Sequence, residues 1–233
     1  VNEPAFARGV QTYGDPGAPP ILFLHGIRLG GKIWEEHARA LCDRFFVITP
    51  DLPGHGALAD LPFDAPTLDA FLAYIADRCV SAPPLIVGYS LGGYVAMRYA
   101  SALPDRTSGL VLTGSSTNIT GYRHALYAAA VRITAVIPPA LMQAILTAAF
   151  HLTLPRRVAA LIVPFRFNHD VFEQSLRLAG GRRYSDLLEH YDKPVLLVNG
   201  RWDMLFRRDE MTYVNAARAQ LVIMPRCDHV APL

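Results

Sequence analysis

Cysteine, net charge and long apolar runs are all scarce in this sequence, and each shortage removes a class of protein. Three cysteines in 233 residues, Cys42, Cys79 and Cys227, are too few and too widely spaced for a disulfide framework or a zinc knuckle. Their odd number favours a reducing, cytoplasmic setting. Twenty-two Lys and Arg against 20 Asp and Glu leave a net charge of +2, too weak a field to recruit nucleic acid or an anionic membrane. The doublets Arg156-Arg157, Arg182-Arg183 and Arg207-Arg208 read as solvated surface. The most apolar region, Ala125 to Leu154, is broken by Arg132 and by Pro138-Pro139, so no transmembrane segment is expected. Val1-Asn2-Glu3-Pro4 has neither the basic start nor the apolar stretch of a signal peptide, although the missing initiator methionine is what processing would leave. His124, His151 and His169 are too far apart in sequence to share a metal ion, and neither metal nor cofactor is expected.

What is present is apolar and patterned. Hydrophobic residues make up 52% of the chain, enough for a well-buried core. Short apolar runs at 19–26, 45–56, 83–90, 108–115, 193–200 and 219–229 each end in turn residues and read as strands. Continuous apolarity, rather than alternation, implies that both strand faces are covered, as in a parallel sheet. Helical patterns lie between them at about Lys32–Arg44, Thr67–Ser81, Leu91–Leu103 and Arg208–Arg218. This alternation predicts an α/β doubly wound, mostly parallel sheet with right-handed crossovers. The segment "AFARGVQTYGD" supplies one antiparallel edge strand or half of a hairpin. From 116 to 188 no strand pattern is visible. "HALYAAAVRITAVI", "PALMQAILTAAFHL" and "RRVAALIVPF" predict three helices with prolines at their starts and breaks. The expected division is a core of 1–115 and 189–233, with 116–188 inserted as a helical cap over the strands' C-terminal ends.

Chemistry concentrates where strands end. In "LIVGYSLGGYVAMRYA" an apolar strand turns into a helix at Ser90, with Gly88 and Gly92 two residues to either side. A tight strand–turn–helix brings backbones together, so small residues are needed there, and the apex side chain points outward. The apex also lies at a helix N-terminus, which favours developing negative charge. A serine hydroxyl still needs a base. "NGRWD" places Asp203, and "MPRCDH" places His229, just past later strands. An acid, an imidazole and a hydroxyl are the minimum for nucleophilic acyl transfer. "HGI" closes the first parallel strand, and its turn can aim an N–H at the oxygen beside Ser90, as can the amide of Leu91. Asp209 is an alternative acid, although it lies well inside the next helical pattern. His25, Asp51 and His55 read as structural groups of tight turns. Trp34 fits either the acyl pocket or the core, and Phe165, Phe167 and Phe172 fit either core packing or substrate contact.

The motifs "LHGI", "DLPGHG", "GYSLGG", "NGRWD" and "CDH" together resemble the α/β-hydrolase-fold serine hydrolases of the esterase and lipase kind. The resemblance implies that Ser90 is the nucleophile, Asp203 the acid and His229 the base, with Ile27 and Leu91 as oxyanion donors. It implies a cofactor-independent carboxylesterase. The apolar stretch 116–188, rich in Ala, Leu, Ile and Phe, predicts a small or medium hydrophobic ester as substrate rather than a highly charged one. C–C bond or lactone hydrolysis, perhydrolysis and acyl transfer use the same triad, and some members of the fold are non-enzymatic ligand receptors. Three departures stand out: Asp228 precedes the histidine where glycine is usual, no proline follows Asp203, and no closing helix follows His229. The last puts the packing at that end of the sheet in doubt more than the triad.

Overall fold

The computed structural model describes residues 3–79, 81–230 and 232–233. Six apolar runs form parallel strands: β2 (Pro20–Leu24), β3 (Phe46–Pro50), β4 (Leu85–Tyr89), β5 (Gly109–Thr113), β6 (Val195–Gly200) and β7 (Gln220–Met224). A seventh strand, β1 (Val10–Tyr13), pairs antiparallel with β3, giving the order β1-β3-β2-β4-β5-β6-β7. Every residue of β2 and β3 is buried, as expected for strands covered on both faces. β7 differs, because its residues alternate between exposed and half-buried, with Val222 and Met224 exposed.

Helices α2 (Glu35–Leu41), α3 (Ala65–Ala76), α4 (Leu91–Ala102) and α9 (Glu210–Ala217) connect the strands. The order of β2, β3 and β4 carries the functional geometry. The chain steps outward from β2 to β3, then returns past β2 to build β4 on its other side. Loops leaving β2 and β4 therefore diverge, and a crevice opens between them at the strands' C-terminal ends. α4 starts at that crevice and is buried along most of its length, from Leu91 through Met97.

The N-terminal segment differs from expectation. Only 10–13 is strand; a short helix, α1 (Glu3–Ala7), precedes it. Phe6 explains the change, since its ring packs against Phe71 and Tyr74 of α3 at 5.3 and 5.6 Å. The predicted helix at 32–44 is a 3-10 turn over 31–34 followed by the shorter α2. α3 begins earlier than its predicted start, because Asp64 accepts the Thr67 amide at 2.9 Å and sets the N-terminus.

The segment between β5 and β6 contains four helices rather than three: α5 (Gly121–Val136), α6 (Pro139–Thr153), α7 (Arg156–Ile162) and α8 (His169–Ala179). Asn168 caps α8 by accepting the amides of Asp170 and Val171. α8 buries Val171, Ser175 and Ala179 at helical spacing, a periodicity present in the sequence that the three-helix expectation omits. It packs against α4 and α5. A bridge between Ile119 and Gly180 pairs the two ends of the helical stretch. Among the described residues no helix is long and apolar enough to cross a membrane.

Candidate active site

Ser90 occupies the turn between β4 and α4 with φ 52° and ψ −116°. A non-glycine residue in this region costs about 1–3 kcal/mol and persists only where its surroundings enforce it. The glycines permit the turn. A Cβ at Gly88 would lie 2.6 Å from the Cα of Gly93, and one at Gly92 would overlap the Leu24 carbonyl. Ser90 is mostly buried, at 7% exposure.

His229 and Asp203 reach Ser90 from the loops after β7 and β6. His229 Nε2 lies 3.1 Å from Ser90 Oγ, and His229 Nδ1 lies 2.8 Å from Asp203 Oδ2. With the proton on Nδ1 donated to the carboxylate, Nε2 keeps a lone pair facing the hydroxyl. The other carboxylate oxygen of Asp203 accepts the amides of Phe206 at 2.9 Å and Leu205 at 3.2 Å. These bonds shape the turn where a proline was missing. Burial pushes the Asp203 carboxyl up, but the His229 hydrogen bond and charge, with those two amides, outweigh it and leave the group below the usual carboxylate range. It is therefore ionised at neutral pH. Asp228, which replaces the usual glycine, accepts the Val230 amide at 3.0 Å and so bends the backbone around His229.

The imidazole is held on both sides. Phe206 stacks on it at 4.3 Å between ring centroids, and Tyr89 lies tilted at 5.3 Å. Gly114, at φ +58°, forms a floor: a Cβ there would lie 2.8 Å from His229 Cε1 and 3.5 Å from Asp203 Oδ2. These three supports were not singled out in the sequence, where Gly114 looks like any post-strand turn residue. Asp209 faces elsewhere. It pairs with Arg123 and accepts the Asn118 amide at 2.8 Å, anchoring the acid loop to the start of the helical insertion.

The amides of Ile27 and Leu91 meet no acceptor among the described residues. The Ile27 loop lies against the nucleophile candidate, since a Cβ at Gly26 would be 3.2 Å from the Ser90 Cβ. His25 positions this loop. Its Nε2 accepts the Leu52 amide at 2.9 Å, and its Nδ1 therefore carries the proton shared with the Gly26 carbonyl at 2.8 Å. Burial outweighs that last bond and lowers the His25 pKa to about 4. His55 packs edge-on against His25 at 5.0 Å. Burial and the His25 charge lower its pKa to about 3, despite a bond to the Pro53 carbonyl.

Two spaces open at Ser90. A cavity of about 490 Å³ contains Ser90, His229, Arg28, Phe150, Leu154 and Trp202 in its walls. A narrow slot of about 80 Å³ lies on the other side, bounded by Ile27, Tyr94, Tyr127, Phe172, Leu176 and Phe206. Three pocket expectations are revised. Trp34 is 1% exposed and packs on Phe23 at 4.9 Å, because the 3-10 turn at 31–34 directs it into the core. Phe165 and Phe167 line a separate cavity of about 660 Å³ beyond Arg28 and Leu29, carried there by the extended stretch between α7 and α8. Phe172 of α8 borders the slot at Ser90. Among the described residues, no group of three or more His, Cys, Asp or Glu is placed to hold a metal ion.

Known proteins share this architecture. The chain is 39% identical over 118 residues to the lipase LipV of Mycobacterium tuberculosis, covering 49% of this chain and 44% of that protein. It is 37% identical over 107 residues to a pimeloyl-[acyl-carrier protein] methyl ester esterase of Nitrosomonas europaea, covering 46% and 40%. The matches thus span less than half the length of these curated relatives. Among solved structures, a hydrolase from Pseudomonas aeruginosa superposes with a TM-score of 0.79 at 20% identity, covering 95% of this chain and 87% of that one. A thermophilic esterase from Thermogutta terrifontis gives 0.76 at 23% identity, covering 96% and 86%. At such identities the superpositions speak for the fold. The model of the alpha/beta hydrolase family matches residues 21–233, and the chain belongs to that family.

Proposed function

We propose that this protein is a serine ester hydrolase with Ser90 as nucleophile, His229 as general base and Asp203 as the orienting acid. The observation that carries the reading is the unbroken relay of 3.1 and 2.8 Å from Ser90 Oγ through the imidazole to the carboxylate. Oγ attacks the ester carbonyl carbon while its proton passes to Nε2. The carbonyl oxygen takes the negative charge, and the free amides of Ile27 and Leu91 receive it, each donor being worth roughly 3 kcal/mol in the transition state. Collapse breaks the C–O bond, the alcohol leaves with the proton from Nε2, and an acyl-Ser90 ester remains. Water, deprotonated by the same nitrogen, then releases the acid and restores the hydroxyl. Asp203 remains ionised throughout and stabilises the imidazolium.

Residues 116–188 act as a cap on the core formed by 1–115 and 189–233, and the cap closes the apolar slot. A small or medium ester with a hydrophobic group suits that slot. The similarity to a lipase and to a methyl ester esterase supports ester cleavage. The unpaired thiols of Cys42, Cys79 and Cys227 suit a reducing, cytoplasmic setting. A fluorophosphonate probe followed by intact-mass and peptide analysis tests the mechanism. A single adduct confined to Ser90 is expected, and Ser90→Ala should lose both the adduct and turnover of a short p-nitrophenyl ester. Undiminished turnover by Ser90→Ala would remove this residue from the chemistry.

A further inference from the structure

Arg28 follows Ile27 directly, yet the reaction just described gives its side chain no task. Its backbone is left-handed, with φ 61°, and its side chain is half-buried in the wall of the Ser90 cavity. The guanidinium carbon lies 5.2 Å from the centroid of Phe150 and 5.9 Å from that of Phe167. One terminal nitrogen donates a long hydrogen bond, 3.5 Å, to the Phe165 carbonyl. Nε is buried and donates to nothing. No carboxylate oxygen of the described residues comes within 4.0 Å of this guanidinium.

Two arginines flanking the Asp203 loop have carboxylate partners. Arg123 is paired with Asp209, and Arg207 with Glu210. Asp51, near the same loop, is occupied by the amides of Gly31 and Ala57, each at 2.7 Å. A half-buried guanidinium without a counter-ion carries a desolvation cost, and the unmade buried donor at Nε adds to it. Burial draws the Arg28 pKa down from its usual value, but a guanidinium keeps its charge at neutral pH. A fixed positive charge therefore lies where the Ser90 cavity meets the cavity lined by Phe165 and Phe167, beside the rings of Phe150 and Phe167.

We propose that Arg28 is a specificity residue for an anionic substrate: an ester that carries a carboxylate, its carbonyl on Ser90 and its carboxylate on the Arg28 guanidinium. The inference rests on the reading of Ser90 as nucleophile. One permanent cation in the cavity wall matches one negative charge, and a carboxylate can accept a charge-assisted hydrogen bond from the terminal nitrogen that does not bond the Phe165 carbonyl. The apolar chain between the two groups lies along Phe150 and Leu154. The slot on the other side of Ser90 receives the uncharged part of the ester.

Matched substrates test this. Monomethyl succinate, glutarate and adipate each differ from methyl butyrate, valerate and hexanoate by a carboxylate in place of a methyl group. The readout is the ratio of kcat/KM for the charged ester to that for its neutral partner, measured within each protein, so that a general loss of folding or reactivity cancels. The wild type should favour the charged member at one chain length at least. Arg28→Met should lower that ratio by about 10- to 100-fold, the range expected for a hydrogen bond between charged groups, and Arg28→Lys should fall between. An equal ratio in wild type and Arg28→Met, or no preference at any length, would overturn the assignment and leave Arg28 as an anchor for the Phe165 carbonyl. A binding arm separates this from failure of the Ser90 reading. In Ser90→Ala, monomethyl adipate should raise Tm more than methyl hexanoate does, and adding Arg28→Met should abolish the difference. If Ser90 takes no fluorophosphonate label but this difference is present and lost as described, anion recognition stands and only the nucleophile is reassigned.

Discussion

At the scale of single residues, the site depends on side chains that are absent as much as on those present. Gly114 is the clearest case. A methyl group there would press on the imidazole at 2.8 and 2.9 Å and would also have to adopt φ +58°. Gly114→Ala should therefore fold, at a cost of about 1–2 kcal/mol for the left-handed backbone, while kcat falls about 100-fold or more through displacement of His229. Circular dichroism alongside esterase kinetics checks this, and unchanged kcat would show that the floor is dispensable. Ser90, Asp203 and His229 were legible because each follows an apolar run that could only be a strand end. Gly114 and Phe206 were not, since their roles lie in contacts across the sheet that no local pattern encodes. Arg28 was further out of reach: its character comes from the carboxylates that fail to approach it.

At the scale of elements, the buried strands announce themselves as continuous apolar runs, whereas the insertion hides its most important helix. α8 contributes Phe172 and Leu176 to the slot beside Ser90, but its segment, HDVFEQSLRLA, is less apolar overall than α5 and α6. Trp34 failed as a pocket residue for a similar reason. Its direction is set by a 3-10 turn whose phase differs from the α-helix that the sequence suggests. Phe172 narrows the slot beside Ser90. Phe172→Ala should lengthen it, raising kcat/KM for longer esters relative to short ones by about tenfold, the worth of a methylene or two in an apolar pocket. A chain-length series on the variant measures the shift, and an unaltered optimum would mean that the slot does not receive substrate.

For the whole molecule, two buried imidazoles make stability a function of pH. His25 and His55 titrate at about 4 and about 3 in the folded protein, against an ordinary value of 6.5. Below pH 6.5 the unfolded chain binds protons that the folded one refuses. The contribution of these residues is thus complete above that pH and is lost as pH falls through the window toward 4 and 3. Each histidine should remove about 1.4 kcal/mol per pH unit within it. Urea midpoints at about pH 7.5 and about pH 5 should differ clearly, and coincident midpoints would refute the argument. The loss would be felt first where His25 ties the Gly26–Ile27 loop to Leu52.

The bridge between Ile119 and Gly180 has a consequence for how such a protein diversifies. The stretch from 119 to 180 leaves the sheet and returns to it with its two ends bridged, so its length can change without reopening that junction. Lengthening, shortening or replacing it leaves the strand ladder's closure untouched and adds little loop entropy. Any exchange there also rebuilds the walls beside Ser90, since Phe150, Leu154, Phe172 and Leu176 all come from it.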